Sequence, residues 1–331
     1  MRAVIVRDDS QIADARRQAV AMAAGLGFNA SDQGRLAIVA TELSTNLIKH
    51  GGGGELVLSV MGQGEAPGVQ CLALDRGPGI VDVAAAMRDG HSTAGTPGNG
   101  LGAVARQSQL FDIYSRRGQG AAVLAQVCIG PPPKPPSGLL QWGVINLAKP
   151  GEEACGDGWS VRCDASGFGL MVVDGLGHGP LAATASHVAV RAFEAAQAVT
   201  PALVETLHQA LRATRGAAAS IVHLPHEDGD LSFIGVGNVA GVLISDADAR
   251  RMVSYNGTLG HALKHVRPFQ YPAKGEVLVI LASDGLGTNW SLDAYAGLRG
   301  RHPALIAGVL YRDFTRGRDD VTVLVARRAR A

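Results

Sequence analysis

The sequence predicts an α+β protein of two domains, and three observations lead there. A proline run, Pro131-Pro132-Pro133-Lys134-Pro135-Pro136-Ser137-Gly138, divides the chain. Before it, segments with apolar residues at helical spacing alternate with short apolar runs. After it, strand-sized apolar runs dominate, joined by short glycine-rich turns, which favours antiparallel sheets with helices packed outside them. Prolines cannot donate ladder hydrogen bonds and keep a chain extended, so 131–138 reads as a linker between domains at 1–130 and 139–331.

The bulk properties agree. With 331 residues, 47% of them hydrophobic, each half can fill a core, built mostly from Ala, Val and Leu because aromatics are only 5%. A formal net charge of +1 without any block of like charge argues against nucleic acid or an anionic membrane as the main partner. The four cysteines show no Cys-x-x-Cys spacing and follow no cationic-then-apolar leader, so a reduced, cytoplasmic protein is expected. Apolar stretches such as Val277 to Ala282 are strand-sized, too short to span a bilayer. The 44 glycines gather at turn-like positions and read as loops that build sites.

In chain order, Ser10 to Leu26 predicts a helix. Ser31 to His50 predicts a second, with Leu36, Val39, Leu43 and Leu47 at helical spacing and Gly51 as its stop. Strands are expected at Glu55 to Val60 and Val69 to Leu74, a short helix at Ile80 to Met87, and a glycine-, serine- and threonine-rich loop at Arg88 to Gly100. A helix at Leu101 to Leu110 precedes a hairpin of Phe111 to Ser115 and Ala121 to Ile129. Beyond the linker, strands are expected at Gly143 to Ala148, Trp159 to Cys163, Gly169 to Val173, Ala219 to Leu224, Leu231 to Gly235, Ala240 to Ile244, Val277 to Leu281 and Val321 to Ala326. Helices are expected at Pro180 to Ala198, Pro201 to Thr214 and Pro303 to Phe314.

In the second helix Glu42, Asn46 and His50 are four apart and share one polar face. On spacing alone this is a solvated helix face. The rest of the half points elsewhere: Asp75-Arg76-Gly77-Pro78-Gly79-Ile80 follows a strand, and Gly98-Asn99-Gly100-Leu101-Gly102 opens a helix. A glycine loop at a helix N-terminus offers unpaired N–H groups and the positive end of the helix dipole to phosphates. A Rossmann site does not fit, because no strand runs directly into the glycines.

In this order the motifs resemble the ATP-binding fold shared by histidine kinases, Hsp90 and gyrase, an α/β sandwich. The similarity is greatest to the anti-sigma-factor serine kinases of the RsbT-like branch, whose asparagine box Ala40-Thr41-Glu42-Leu43-Ser44-Thr45-Asn46-Leu47-Ile48-Lys49-His50 resembles. The resemblance implies that Asn46 helps bind Mg²⁺ on the phosphates of ATP and that Asp75 receives the adenine amino group. It implies further that Gly77, Gly79, Gly100 and Gly102 shape the pocket, that Glu42 is the base for a substrate serine, and that 88–98 is the ATP lid. Phosphoryl transfer needs chiefly positioning and charge neutralisation, which a base and a metal ligand on one helix face supply. A domain that binds ATP without transferring phosphate retains the same boxes and stays open as an alternative.

The second half carries two near-repeats, Val173-Asp174-Gly175-Leu176-Gly177 and Ser283-Asp284-Gly285-Leu286-Gly287, each where an apolar run stops. Asp157 and the pair Asp319-Asp320 also border strands. One such aspartate is usually a turn or cap residue, but four with no accompanying zinc-type cysteine or histidine spacing point to a hard-cation site of oxygen ligands.

The stretches Cys-Gly-Asp157-Gly-Trp-Ser, Val-Val-Asp174-Gly175-Leu-Gly-His178-Gly179, Arg215-Gly-Ala-Ala-Ala-Ser-Ile, Gly235-Val-Gly-Asn238, Ala-Ser-Asp284-Gly-Leu and Arg-Asp319-Asp320-Val-Thr322 resemble, in order, the SpoIIE-like branch of the metal-dependent (PPM-type) protein serine/threonine phosphatases. This implies an α-β-β-α sandwich with two Mn²⁺ or Mg²⁺ ions at the sheet edge. Asp174 would bridge them, Gly175 would offer its carbonyl, and Asp157, Asp284 and Asp319 would complete the shell, with Asp320 behind it. A water activated between two cations would attack a phosphoserine in line. His178 reads as a structural residue or an acid. The arginine that holds phosphate in the animal and plant branch has no evident equivalent. By resemblance the partners are small STAS-type anti-sigma antagonists of a bacterial stress or partner-switching pathway, in a stressosome-like complex. A general nucleotide phosphohydrolase is a further alternative, without a visible second base pocket.

Overall fold

Alternation of apolar residues sets one face of each strand against helices in the first half and against a second sheet in the second. The computed structural model describes residues 1–61, 67–87, 100–130, 140–245, 248–264 and 266–329. The expected lid at 88–98 and linker at 131–138 lie outside the described residues. Contacts divide the chain into two units, one of Met1–Lys134 with Leu292–Arg312, the other of Pro135–Ser291 with Asp313–Ala331.

In the first unit, β1 (Arg2–Val6), β2 (Gly54–Met61), β3 (Gly68–Asp75), β4 (Leu110–Ser115) and β5 (Ala121–Cys128) form one sheet of order β1-β2-β3-β5-β4. Every pairing in it is antiparallel. Helices α1 (Asp9–Gly25), α2 (Ala30–Lys49), the short α3 (Val83–Ala86) and α4 (Gly100–Gln107) belong to the same unit. Helix α1 starts at a capping box on Asp8 and α2 at Asn29, whose side chain accepts the Asp32 N–H; such caps contribute about 1 kcal/mol each.

Alternate strand residues Val69, Cys71 and Ala73, with Val123, Ala125 and Val127, pack on Leu36, Val39, Leu43 and Leu47 of α2 and on Val104 of α4. The opposite face of β3 carries Leu72 and Leu74. There Gly308 of α7 (Pro303–Phe314) comes so close that a Cβ would sit 2.6 Å from Leu72 Cδ2. Residues 292–312, expected with the second domain, therefore group with the first by contact.

The second unit is a sandwich. Strands β7 (Asp157–Cys163), β8 (Gly167–Gly175), β9 (Ala217–Pro225), β10 (Gly229–Val236) and β13 (Ser254–Tyr255) form one sheet, with β14 (Phe269–Ala273) paired to β10. The other has the order β12-β11-β15-β16-β6, from β6 (Leu140–Leu147), β11 (Ala240–Ile244), β12 (Ala249–Met252), β15 (Val277–Ala282) and β16 (Val321–Arg328). Leu170 and Val172 of β8 face the inter-sheet core with Val279, Leu281 and Leu324. Met171 and Val173, one residue out of phase, pack outward on α5 (Pro180–Ala195) and α6 (Pro201–Leu211). This period-two alternation gives β8 two buried faces and fixes its register.

Candidate nucleotide and metal sites

In the first unit the stripe of Leu36, Val39, Leu43 and Leu47 is buried, which turns Glu42, Asn46 and His50 to the partly exposed side of α2. Asn46 lies beside the start of α4: a Cβ on Gly100 would be 3.8 Å from its Oδ1 and 3.9 Å from its Nδ2. Its Nδ2 is buried and unpartnered, an unmet demand for a ligand or water. Glu42 is half-buried one turn earlier on the same face. Gly102 is buried inside α4.

Asp75 ends β3. Its Oδ1 accepts the N–H groups of Gly77 at 2.8 Å and Ala121 at 3.2 Å, leaving Oδ2 to accept from a ligand. Burial raises its pKa, while those two N–H groups and the charges of Arg312 and His50 lower it. Backbone crowds the carboxylate's root. A Cβ on Gly51 would stand 2.7 Å from that of Asp75, and one on Gly77 2.8 Å from Gly51 Cα. Gly120, at φ +72°, would clash with the Asp75 carbonyl, and Gly79, at φ +74°, with that of Arg116. Gly77 and Gly79, expected from the sequence to shape a pocket, stand where backbone approaches closely. Gly51 and Gly120 belong to the same cradle, and their only sequence signal was a helix stop and a hairpin turn.

In the second unit antiparallel pairing places Asp157, first residue of β7, opposite Asp174 near the end of β8. Asp157 is buried. Its Oδ2 accepts the Ser283 hydroxyl at 2.6 Å, and Thr322 adds a further side-chain bond. Ser283 Oγ in turn accepts the Thr322 N–H at 2.9 Å, and Asn146 Nδ2 reaches Thr322 Oγ1 at 2.8 Å. Asn146 and Thr322 are cross-strand partners of β6 and β16, polar residues inside apolar runs; that irregularity was the available signal for them. The Asp284 turn follows β15, and Asp284 Oδ2 accepts from Asn238 Nδ2 at 2.7 Å. Gly285 presses on the Asp320 carbonyl, and Gly175 on the Ala182 carbonyl, at distances no Cβ would allow.

Asp319 Oδ1 accepts the Asp320 N–H at 3.0 Å. Asp320 Oδ1 accepts from the Lys149 backbone at 2.8 Å, while its Oδ2 is buried and unpartnered. His178 Nδ1 lies 2.7 Å from Glu152 Oε1, so this histidine has a carboxylate neighbour of its own.

Electrostatics ties the aspartates together. Burial first, then the charges of Asp157, Asp284, Asp319 and Asp320, push the Asp174 carboxyl up. Burial also raises Asp157, against the hydrogen bonds of Ser283 and Thr322 and with the repulsion of Asp320 and Asp284. Among the described residues no trio of His, Cys, Asp or Glu side chains is closed around one ion-sized point. The donor chemistry nevertheless fits hard cations: every donor is oxygen, the carboxylates repel one another, and Asp320 Oδ2 is orphaned. Mg²⁺ characteristically keeps several waters and takes few protein ligands.

Comparison with known proteins follows the same division. The histidine kinase-like ATPase domain family matches residues 5–127, and the stage II sporulation protein E (SpoIIE) family matches residues 164–329, half of the chain. Over 122 residues the chain is 33% identical to serine/threonine-protein kinase RsbT of Bacillus subtilis (strain 168), covering 37% of this chain and 92% of RsbT. Over 107 residues it is 34% identical to phosphoserine phosphatase RsbX of the same organism, covering 32% of this chain and only 54% of RsbX. A crystal structure of RsbX in complex with magnesium superposes with a TM-score of 0.52 at 25% identity, over 58% of this chain and 96% of that one. A chain solved in work on the bacterial stressosome as a modular system adapted to control secondary messenger signaling is similar at TM-score 0.52 and 28% identity, over 56% of this chain and 98% of that one. No helix among the described residues is long and apolar enough to cross a membrane.

Proposed function

The chain belongs to the SpoIIE family and joins a histidine kinase-like ATPase domain to a protein phosphatase domain of the metal-dependent type; on that footing we propose that it removes phosphate from phosphoserine or phosphothreonine of STAS-type anti-sigma antagonists in a partner-switching circuit. The observation that carries this is the register pairing of Asp157 with Asp174 at a sheet end, in electrostatic reach of Asp284 and Asp319.

Asp174, Asp284 and Asp319, with Asp157 and the Gly175 carbonyl, would hold two Mn²⁺ or Mg²⁺ ions. Such ions, when bound, lower the pKa of a water and neutralise phosphoryl oxygens. The chain's own residues set the frame. Ser283 and Thr322 fix the Asp157 carboxylate, Asn238 fixes Asp284, and the glycine contacts at 175 and 285 bring the two turns close to neighbouring backbone. RsbX being a phosphoserine phosphatase, crystallised with magnesium, supports this assignment.

For the first unit we propose Mg²⁺-ATP binding, with Asn46 toward the metal and phosphates and Asp75 toward the adenine. Glu42 is placed as the base in serine phosphorylation of the same class of partner, a stressosome-like component. It lies one turn from Asn46 on the same face of α2, a spacing that transfer requires, and similarity to the kinase RsbT supports this reading. Purified protein incubated with candidate STAS domains, first with ATP and then with Mn²⁺, tests both halves by intact mass. Addition and then loss of one phosphate is expected. With a phosphoserine STAS domain supplied in parallel, loss of its phosphate without any addition from ATP leaves the first unit as an ATP-dependent binding module, and absence of both changes rejects the proposal.

A further inference from the structure

Tyr311 and Arg312 end the helical stretch that groups with the first unit although it lies within residues 164–329, the span matched by the SpoIIE family, and outside residues 5–127. Contacts spread along its length anchor this stretch on the sheet. The His302 N–H donates to Asp112 Oδ2 at 2.8 Å, the Tyr311 hydroxyl donates to Glu55 Oε2 at 2.9 Å, and Gly308 sits against Leu72. Arg312 itself is buried, at 6% exposure. Its Nη1 donates to the carbonyl oxygen of Asp75 at 2.9 Å and approaches that of Ala121 at 3.4 Å.

These two carbonyls belong to the residues whose other groups already meet: the Ala121 N–H donates to Asp75 Oδ1. One guanidinium thus closes, from the backbone side, the junction of β3 and β5 from which the Asp75 carboxylate projects. Both bonds come from Nη1, held in the rigid plane of a buried guanidinium, whereas a lysine ammonium sits on a flexible stem and is fixed less well. The N–H groups of Gly77 and Ala121 hold the carboxylate itself, and Arg312 adds a side-chain brace on the Asp75 backbone.

We propose that Arg312 is a positioning residue of the nucleotide site, holding Asp75 so that the pocket selects adenine. The inference rests on the assignment of Asp75 to the adenine amino group. It gives residues from the phosphatase half of the sequence a part in nucleotide choice.

The test uses the full chain and titrates ATP and GTP, each with Mg²⁺, against wild type, Arg312→Met and Arg312→Lys. Thermal melting of each variant serves as the control for folding. Arg312→Met is expected to weaken ATP binding roughly tenfold, the size of one lost hydrogen bond to a charged group, and GTP binding much less. Arg312→Lys, which keeps the charge but loses the rigid guanidinium plane, is expected to fall between. A fall in the ATP-to-GTP affinity ratio is the signature of positioning. Equal losses of ATP and GTP, or an unchanged ratio, overturn the inference while leaving the nucleotide site standing. If Arg312→Met does not fold, Arg312→Lys decides by the same ratio. Wild-type chain that binds neither nucleotide overturns the nucleotide site itself, and this inference with it.

Discussion

Asp157 and Asp174 face each other across β7 and β8 as a cross-strand pair, so two carboxylates leave the same face of the sheet at one end. Like charges directly opposite destabilise a sheet, and here both are largely buried. Selection of such a pair in a strand end makes sense where a cation neutralises it.

The pair makes stability depend on pH in a definite direction. In the folded protein stripped of metal, burial and the repulsion of neighbouring carboxylates raise Asp174 from the ordinary 3.8 to about 8, and Asp157 to about 7. The folded state then binds more protons than the unfolded state across this interval, so stability falls as pH rises through it. With EDTA the contribution of these groups should lower the melting temperature progressively between about pH 4 and pH 8. Saturating Mg²⁺ should raise the melting temperature, most strongly at the alkaline end. Asp157→Asn should shrink the EDTA slope; an unchanged slope would contradict the pairing.

Ser283 holds Asp157 Oδ2 and receives the Thr322 N–H. Ser283→Ala should therefore cost about 1–3 kcal/mol in chemical denaturation, because a buried donor loses its acceptor and a carboxylate loses a bond. It should also weaken Mn²⁺ binding by roughly 10- to 100-fold in calorimetry, the usual cost of removing a group that orients a ligand. Wild-type affinity in this variant would mean that Asp157 does not need its hydroxyl partner.

Gly120→Ala places a Cβ against the Asp75 carbonyl at φ +72°. A strained φ alone costs on the order of 1–3 kcal/mol, and the clash adds to it. Loss of stability with weaker ATP binding is expected, read by denaturation and nucleotide titration. Gly118→Ala is the matched control, since Gly118 also has positive φ, +74°, but open space around it; its ATP affinity should stay at wild-type level.

Asn46→Ala should weaken Mg²⁺-ATP binding, whereas Glu42→Ala should retain it and stop phosphate transfer to a STAS serine. Equal loss of ATP binding in both variants would show that the α2 face does not separate binding from transfer.

Much of this was legible because local chemistry and tertiary structure agree. The stripe on α2 and the helix at Pro303–Phe314 follow from helical spacing and proline placement. The four aspartates stand at strand ends as their flanking apolar runs required. Strand β1 has almost no local signal, because only Val4 and Val6 of its five residues are buried, too short an alternation to mark a strand. Strands β12, β13 and β14 are edge segments of mixed composition whose pairing partners, not their propensity, make them strands. Arg312 looks in sequence like an ordinary basic residue in a last helical turn. Its bond to Asp75, 237 positions away, is set by folding and has no local signature.

The most direct test of the central claim is Mn²⁺-dependent release of phosphate from a phosphoserine STAS protein, followed by intact mass for wild type and Asp174→Asn. The account predicts loss of one phosphate with wild type and Mn²⁺, none with EDTA and none with Asp174→Asn, while the variant still binds ATP. Phosphate release by Asp174→Asn at the wild-type rate would contradict it.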